Sequence, residues 1–131
     1  MRKFDSGATR DTDEGKLDFE GFLSPLVLRR FAQYMNFNRI QADGNLRDSD
    51  NWQKGIPKDA YMKSGWRHFF DWWRCHRHLA VGKQEALCAL LFNVMGYLHE
   101  ELRECENLNE ALDPPSTEAS THIPKLGESN D

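Results

Sequence analysis

The chain has 131 residues, a formal net charge of −4 and 39% hydrophobic residues, a composition typical of one soluble domain with a modest core. It contains neither an apolar run of roughly 20 residues, which a transmembrane helix needs, nor the apolar segment of an export signal, so we expect a cytoplasmic protein. The acidic balance creates no field that attracts a polyanion, so nucleic acid is an unlikely partner.

The N-terminal part of the chain is predicted to be an irregular arm followed by a helix. Residues 1–21 are polar and are interrupted by glycines, which is typical of irregular structure. A helix is predicted over 24–36, because Ser24 can cap the free amides of the first turn and Pro25 occupies the first helical position. Leu28, Phe31 and Met35 then recur at helical spacing.

Residues 37–57 show neither helical nor strand periodicity and predict a long loop. Loops of this length in compact domains are usually functional or disordered, and burying Trp52 favours an ordered, functional loop. Its aspartates, Asp48 and Asp50, are either turn residues or metal ligands. Trp52 either anchors the loop or stacks on a purine base.

A second helix is predicted over 58–79, entered through Pro57. Its large apolar residues share one side of the helical wheel, so we expect them to form the core: they are Met62, Trp66, Phe69 and Trp73. The opposite side mixes aromatic, hydroxyl, imidazole and thiol groups, which predicts the lining of a site: it carries Tyr61, Ser64, His68, Trp72 and Cys75.

A third helix is predicted over 83–108 and has the same two-sided character. One side is expected to be core: it consists of Leu87, Leu91, Val94, Met95, Leu98 and Leu102. The other side is small or polar, so that another helix or a ligand can come close: it carries Ala86, Ala89, Asn93, Gly96, Tyr97, Glu100 and Glu104. With a polar tail at 113–131 predicted to be flexible, the sequence indicates a single all-α domain, residues 1–112, with three principal helices.

Several segments of the chain together resemble a known family. They are Gly-Ala-Thr-Arg-Asp-Thr at 7–12, Gly-Lys-Leu-Asp-Phe-Glu-Gly-Phe-Leu-Ser-Pro at 15–25, Asp-Asn-Trp-Gln-Lys-Gly-Ile-Pro at 50–57, Arg67-His68 and the helix around Asn93. This set is similar to the N-terminal domain of the dATP/dGTP diphosphohydrolases of phages. The resemblance implies an all-α domain related to MazG-like pyrophosphohydrolases, which use Mg²⁺ or Mn²⁺ to cleave nucleoside triphosphates into monophosphate and pyrophosphate.

The resemblance also suggests site residues. Glu100-Glu101-Leu102-Arg103-Glu104 is a literal E-E-x-x-E, the first metal motif of MazG-like enzymes, but the E-x-x-D motif of their later helix has no counterpart downstream. The candidate metal ligands are therefore Asp48, Asp50, Glu85, Glu100 and Glu104, with Asp18 as a further carboxylate. The candidate phosphate or nucleotide ligands are Arg47, Lys54, Arg67, His68, Asn93 and Trp52. The catalytic candidates are Glu100, Glu104 and His68.

Other interpretations of the same residues remain open. The glutamates near the end of a helix can be a solvated face, Asn93 can tie neighbouring backbone together, and His68 can form a structural pair with Arg67. The histidines and cysteines have no zinc-ligand spacing. The chain can also be a non-catalytic phage accessory or nucleotide-binding module of the same fold. Its apolar residues exceed what three helices bury, which predicts a homo-oligomer whose neighbouring chain supplies missing ligands.

Overall fold

The computed structural model describes the backbone of residues 1–112 and the side chains of residues 1–108, and it confirms the all-α class. The elements are β1 (Arg2–Lys3), β2 (Thr9–Arg10), α1 (Phe19–Phe22), α2 (Pro25–Phe37), a short 3-10 helix (Asn51–Lys54), α3 (Lys58–His76) and α4 (Lys83–Leu112). Two compact units are present, one of residues 1–33 and one that begins at Tyr34. The tail predicted to be flexible, 113–131, lies outside the described residues.

The N-terminal unit is more regular than the irregular arm that the sequence predicts. Strands β1 and β2 pair antiparallel, and Gly7 allows the tight connection between them with a φ of 92°. A carboxylate oxygen of Asp18 accepts a hydrogen bond from the Gly21 amide at 3.0 Å and caps the single turn of α1. Helix α2 begins as predicted, because Ser24 Oγ accepts a hydrogen bond from the Val27 amide at 3.2 Å.

The segment between α2 and α3 is a loop, as predicted, and backbone hydrogen bonds close its first half on itself. Ile40 and Leu46 form an isolated antiparallel bridge. Arg39 and Arg47 hold the two sides together: Arg39 Nε donates to the Arg47 carbonyl at 2.8 Å, and Arg47 Nη1 donates to the Asn38 carbonyl at 3.0 Å. This loop is therefore ordered by its own polar contacts.

Helices α3 and α4 pack antiparallel through their small and polar faces. The would-be Cβ of Gly65 lies 3.6 Å from the Asn93 Cβ, and Gly96 lies directly against the ring of Tyr61. We call this contact the α3–α4 seam. The buried residues of the seam and its surroundings are Tyr61, Cys75, Ala86, Cys88, Ala89, Asn93 and Gly96. The sequence left open whether another helix or a ligand approaches the small and polar face of α4. In the structure, α3 approaches it.

The two predicted core stripes are wrong as descriptions of this chain's core. Trp66 is 67% exposed and Trp73 49% exposed on α3, and Val94 is 56% exposed on α4. Helical periodicity separates two faces of a helix but does not say which face meets the neighbouring helix. The small residues permit the closer approach of the two backbones, so they form the seam, and the large apolar residues remain outside it.

The ends of α3 and α4 differ from the predicted boundaries. Helix α3 ends at His76 instead of residue 79, because a Schellman-type cap stops it: the Leu79 amide donates to the Arg74 carbonyl at 2.8 Å and the His78 amide to the Cys75 carbonyl at 3.0 Å. His78 takes the left-handed conformation, φ 60°, which this cap requires. Helix α4 continues past residue 108 to Leu112.

Candidate functional site

The short 3-10 helix of the loop is fastened to the side of α4. The Trp52 ring packs edge-on against His99, with centroids 4.8 Å apart, and against Phe92 at 6.2 Å. Arg103 Nη1 donates a hydrogen bond to the Gln53 carbonyl at 3.0 Å. Trp52 therefore has the contacts of a loop anchor in this structure, and the loop lies along α4 instead of covering a pocket between the polar faces of α3 and α4.

Three polar atoms near this contact are buried and have no hydrogen-bond partner among the described residues. They are Tyr61 Oη, His99 Nε2 and Glu100 Oε1, which we call the unpartnered trio. Tyr61 is only 3% exposed. Burial and, to a smaller degree, the negative charge of nearby Glu100 raise the pKa of its phenol. Buried polar atoms in proteins are nearly always hydrogen-bonded. Atoms such as the unpartnered trio therefore usually bind a water molecule or a ligand, or have a functional role.

The E-E-x-x-E motif is split by an interaction that the sequence does not reveal. Lys58, at the start of α3, forms ion pairs with Glu101 and with Glu104, the latter at 2.8 Å. The hydrogen bonds that the Lys58 ammonium donates to the carboxylates of Glu101 and Glu104 raise its pKa. Glu100 belongs to neither ion pair: its Oε1 is buried, and its charge contributes to the raised pKa of Tyr61. A metal ion at Glu104 would have to displace the ammonium group.

The remaining candidate metal ligands have contacts or positions of their own. Asp48 pairs with Lys54 at 3.8 Å, and the Asp50 carbonyl accepts a hydrogen bond within the 3-10 helix. Glu85 is in the first turn of α4, and Asp18 belongs to the N-terminal unit. In the described part of the chain, no three side chains of the His, Cys, Asp and Glu types come together to hold a metal ion. Among the side chains of residues 1–108, the ligand set that the resemblance implies for Mg²⁺ is thus incomplete.

The candidate phosphate and nucleotide ligands have local structural contacts. Arg47 braces the loop, and His68 Nδ1 lies 3.7 Å from an Asp71 carboxylate oxygen one turn along α3. Asn93 is buried and donates from Nδ2 to the Ala89 carbonyl at 2.8 Å. Arg67 is exposed on α3. These residues stay candidates for ligand binding, although the structure does not gather them at one point.

A groove of about 580 Å³ runs between α3 and α4 along one side of the seam, whose residues Tyr61, Gly65 and Asn93 form part of its lining. Its walls are largely apolar: they include Met62, Trp66, Phe69, Leu90, Val94 and Leu98. Among the groove's lining residues the one charged side chain is Glu101, whose carboxylate repels phosphate groups. The volume is in the range of small-molecule pockets, but the lining lacks the cations that a triphosphate requires.

Sequence reasoning missed the residues whose roles depend on contacts across the seam. Lys58 and His99 were not candidates, because nothing in their neighbourhood along the chain shows that Lys58 meets Glu104 or that His99 meets Trp52. Tyr61 was placed on the polar face by periodicity. The burial of its hydroxyl, however, depends on how closely α4 approaches at Gly96.

Replacing Tyr61 by phenylalanine is expected to raise the free energy of unfolding at neutral pH by about 1 kcal/mol, because it removes a buried hydroxyl without a partner. Because burial raises the pKa of the Tyr61 phenol, the folded state holds the phenolic proton more tightly than the unfolded state does, and the free energy of unfolding falls as the pH rises above 10. Tyr61→Phe should therefore also reduce the alkaline loss of stability.

Urea unfolding at neutral pH and above pH 10 measures both effects of Tyr61→Phe. Tyr97→Phe is the matched control, because Tyr97 follows Gly96 on α4, its ring centroid lies 5.5 Å from the Lys58 ammonium, and its hydroxyl is not one of the unpartnered trio. Equal changes in the two variants would show that the Tyr61 hydroxyl carries no special cost.

Comparison with known proteins gives no match: neither a family model, nor a curated protein, nor a solved structure matches this chain. None of the helices within residues 1–112 combines the length and the apolarity that crossing a membrane requires. The family resemblance therefore stays a prediction based on the quoted segments.

Proposed function

We propose that the chain hydrolyses purine deoxynucleoside triphosphates, dATP and dGTP, to monophosphate and pyrophosphate in the cytoplasm of a bacterium or a phage-infected host. The observation that carries this proposal is the buried, unpartnered Oε1 of Glu100 within an E-E-x-x-E sequence. A carboxylate oxygen without a partner is costly to keep in a fold, and such groups are concentrated at functional sites. The quoted segments at 7–25 and 50–57 supply the substrate class by resemblance.

The proposed chemistry assigns different tasks to the carboxylate and to the basic residues. Attack of water on the α-phosphorus needs a group that accepts the proton of the water, and Glu100 has a free acceptor position for it. The triphosphate needs positive charge to balance its oxygens. In this proposal Arg47, Lys54 and Arg67, all exposed, supply that charge, with His68 contributing when it is protonated.

Magnesium or manganese belongs to this proposal as the cation that neutralises charge on the phosphate oxygens. Because the carboxylates of one chain do not form a complete ligand set in the described residues, we derive no catalytic step from a metal. The remaining ligands are proposed to come from a neighbouring chain.

The alternative function is a nucleotide-binding module of the same fold without catalysis. The ion pairs of Lys58 with Glu101 and Glu104 favour this alternative, because they neutralise two of the three glutamates that a metal would use. A chain of this kind would keep affinity for the nucleotide and lose the ability to cleave it.

Pyrophosphate release from each of the four deoxynucleoside triphosphates, with Mg²⁺ present, separates the two functions. We expect release from dATP and dGTP to exceed release from dCTP and dTTP and to stop when EDTA removes the metal. Nucleotide binding without pyrophosphate release, from protein whose helical circular dichroism is intact, would support the binding module. Absence of both binding and release would contradict both functions.

A further inference from the structure

We propose that the outer face of the α3–α4 pair is the surface on which a second copy of this chain docks, so that two helix pairs form a four-helix bundle. We call this surface the open apolar face. It consists of Met62, Trp66, Phe69 and Trp73 on α3 and Leu87, Leu91, Val94, Leu98 and Leu102 on α4. The inference rests on packing and charge, and it holds or fails independently of the proposed activity.

The open apolar face is too exposed to be the surface of a stable two-helix layer. Trp66, Phe69 and Trp73 are 67%, 47% and 49% exposed, and Leu98 is 53% exposed. A helix pair with one apolar face needs a further layer of secondary structure against that face. Single exposed apolar residues are normal in proteins, but a continuous row along two neighbouring helices marks an interaction surface.

The size of the open apolar face fits a protein partner. From Leu87 to Leu102 the row on α4 extends for roughly 22 Å at the helical rise of 1.5 Å per residue. Side chains of these types expose on the order of 600 Å² at the observed exposures. A standard interface buries about 800 Å² per partner, of which somewhat more than half is apolar. The face therefore supplies the apolar share of one such interface.

The distribution of charge along the helix pair favours a second copy as this partner. Basic residues predominate near the turn between the helices, where Asp71 and Glu85 are the exceptions: they are Arg74, Arg77 and Lys83. Acidic residues predominate at the opposite end, where Lys58, Lys63 and Arg103 are the exceptions: they are Asp59, Glu100, Glu101, Glu104 and Glu106. A two-fold axis across the middle of the face places the basic end of each copy against the acidic end of the other.

The geometry of the α3–α4 groove supports the same partner. The groove presents a cleft between two antiparallel helices, into which the ridge of another helix can pack. Four-helix bundles are built from such antiparallel pairs around an apolar centre. Trp66, as the most exposed aromatic residue of the open apolar face, is expected to be an anchor of the interface.

The oligomeric state of the full chain, measured by sedimentation velocity over a range of protein concentrations, tests the proposal. We expect a dimer for the wild type. Trp66→Glu should raise the dimer dissociation constant at least ~30-fold, which corresponds to the ~2 kcal/mol of an anchor residue. Leu46→Glu is the matched control: it introduces the same charge at a leucine that is 57% exposed but lies in the loop, outside the open apolar face.

A second variant tests the charge arrangement. Arg74→Glu should weaken the dimer, and the double variant Arg74→Glu with Glu106→Arg should recover part of the lost affinity, because the two reversed ends again attract each other. Circular dichroism of every variant checks that the helices form. A wild-type monomer at concentrations of tens of micromolar, or a Trp66→Glu variant that dimerises as the wild type does, would overturn the proposal.

Discussion

Replacing Gly96 by alanine is expected to lower the free energy of unfolding by about 1–3 kcal/mol, the usual cost of forcing an extra group into a tightly packed contact. The ring of Tyr61 occupies the space that a Cβ at this position needs, and its hydroxyl oxygen would be 2.7 Å from that Cβ. Tyr61 is buried, so its ring cannot move aside without opening the α3–α4 seam. The loss outweighs the gain of roughly 1 kcal/mol that alanine brings to a helix.

Gly65→Ala on the facing helix is the matched control for Gly96→Ala. Its Cβ would lie 3.6 Å from the Asn93 Cβ, an ordinary van der Waals distance. Only the gain in helix propensity remains at this site, so we expect Gly65→Ala to be neutral or to stabilise the protein by up to ~1 kcal/mol. Urea unfolding at one protein concentration measures both variants. Similar effects of the two substitutions would contradict the close contact between Tyr61 and Gly96.

Replacing Glu100 by glutamine is expected to change activity and stability in opposite directions. The amide cannot accept a proton from water, so pyrophosphate release from dATP should fall by a factor of at least ~10². Removing a charge whose Oε1 is buried without a partner should raise the free energy of unfolding by about 1 kcal/mol. A residue that costs stability and is needed for activity is the pattern expected of a functional group.

Glu14→Gln is the control for Glu100→Gln, because it makes the same change at an exposed glutamate of the N-terminal unit that belongs to no proposed site. It should leave both the rate of pyrophosphate release and the unfolding free energy close to their wild-type values. If Glu100→Gln keeps full activity, the proton acceptor lies elsewhere. If it lowers stability instead of raising it, the carboxylate has a stabilising partner that the fold of one chain does not show.

The two variants probe connected parts of the molecule. The close approach at Gly96 buries Tyr61, and the phenol of Tyr61 lies near enough to Glu100 for the carboxylate charge to raise its pKa. Opening the seam would admit water to both groups. We therefore expect Gly96→Ala to reduce activity as well as stability, through the position of Tyr61 and not through contact with the nucleotide.

Local features of the sequence are sufficient to predict where the long helices of this protein begin. Ser24 and Pro25 mark the start of α2, and Lys58 and Lys83 begin α3 and α4 as predicted, because capping and helical periodicity act within a few residues. The loop after α2 follows from the absence of any period. The early stop of α3 was not foreseen, because a left-handed His78 gives a weaker signal than the glycine that usually ends a helix in this way.

The arrangement of the helices was decided only by tertiary structure. Periodicity showed two faces on α3 and on α4 but assigned the core to the wrong one. Large apolar residues indicate that a face is to be buried, but they do not indicate which element of structure buries it. The small residues around Gly96 let the helices meet through their polar faces. This packing brings Lys58 to Glu104 and leaves Oε1 of Glu100 without a hydrogen-bond partner in the described part of the chain. Such contacts join residues more than 40 positions apart. Periodicity and capping describe neighbours along the chain, so they do not predict which distant residues come into contact.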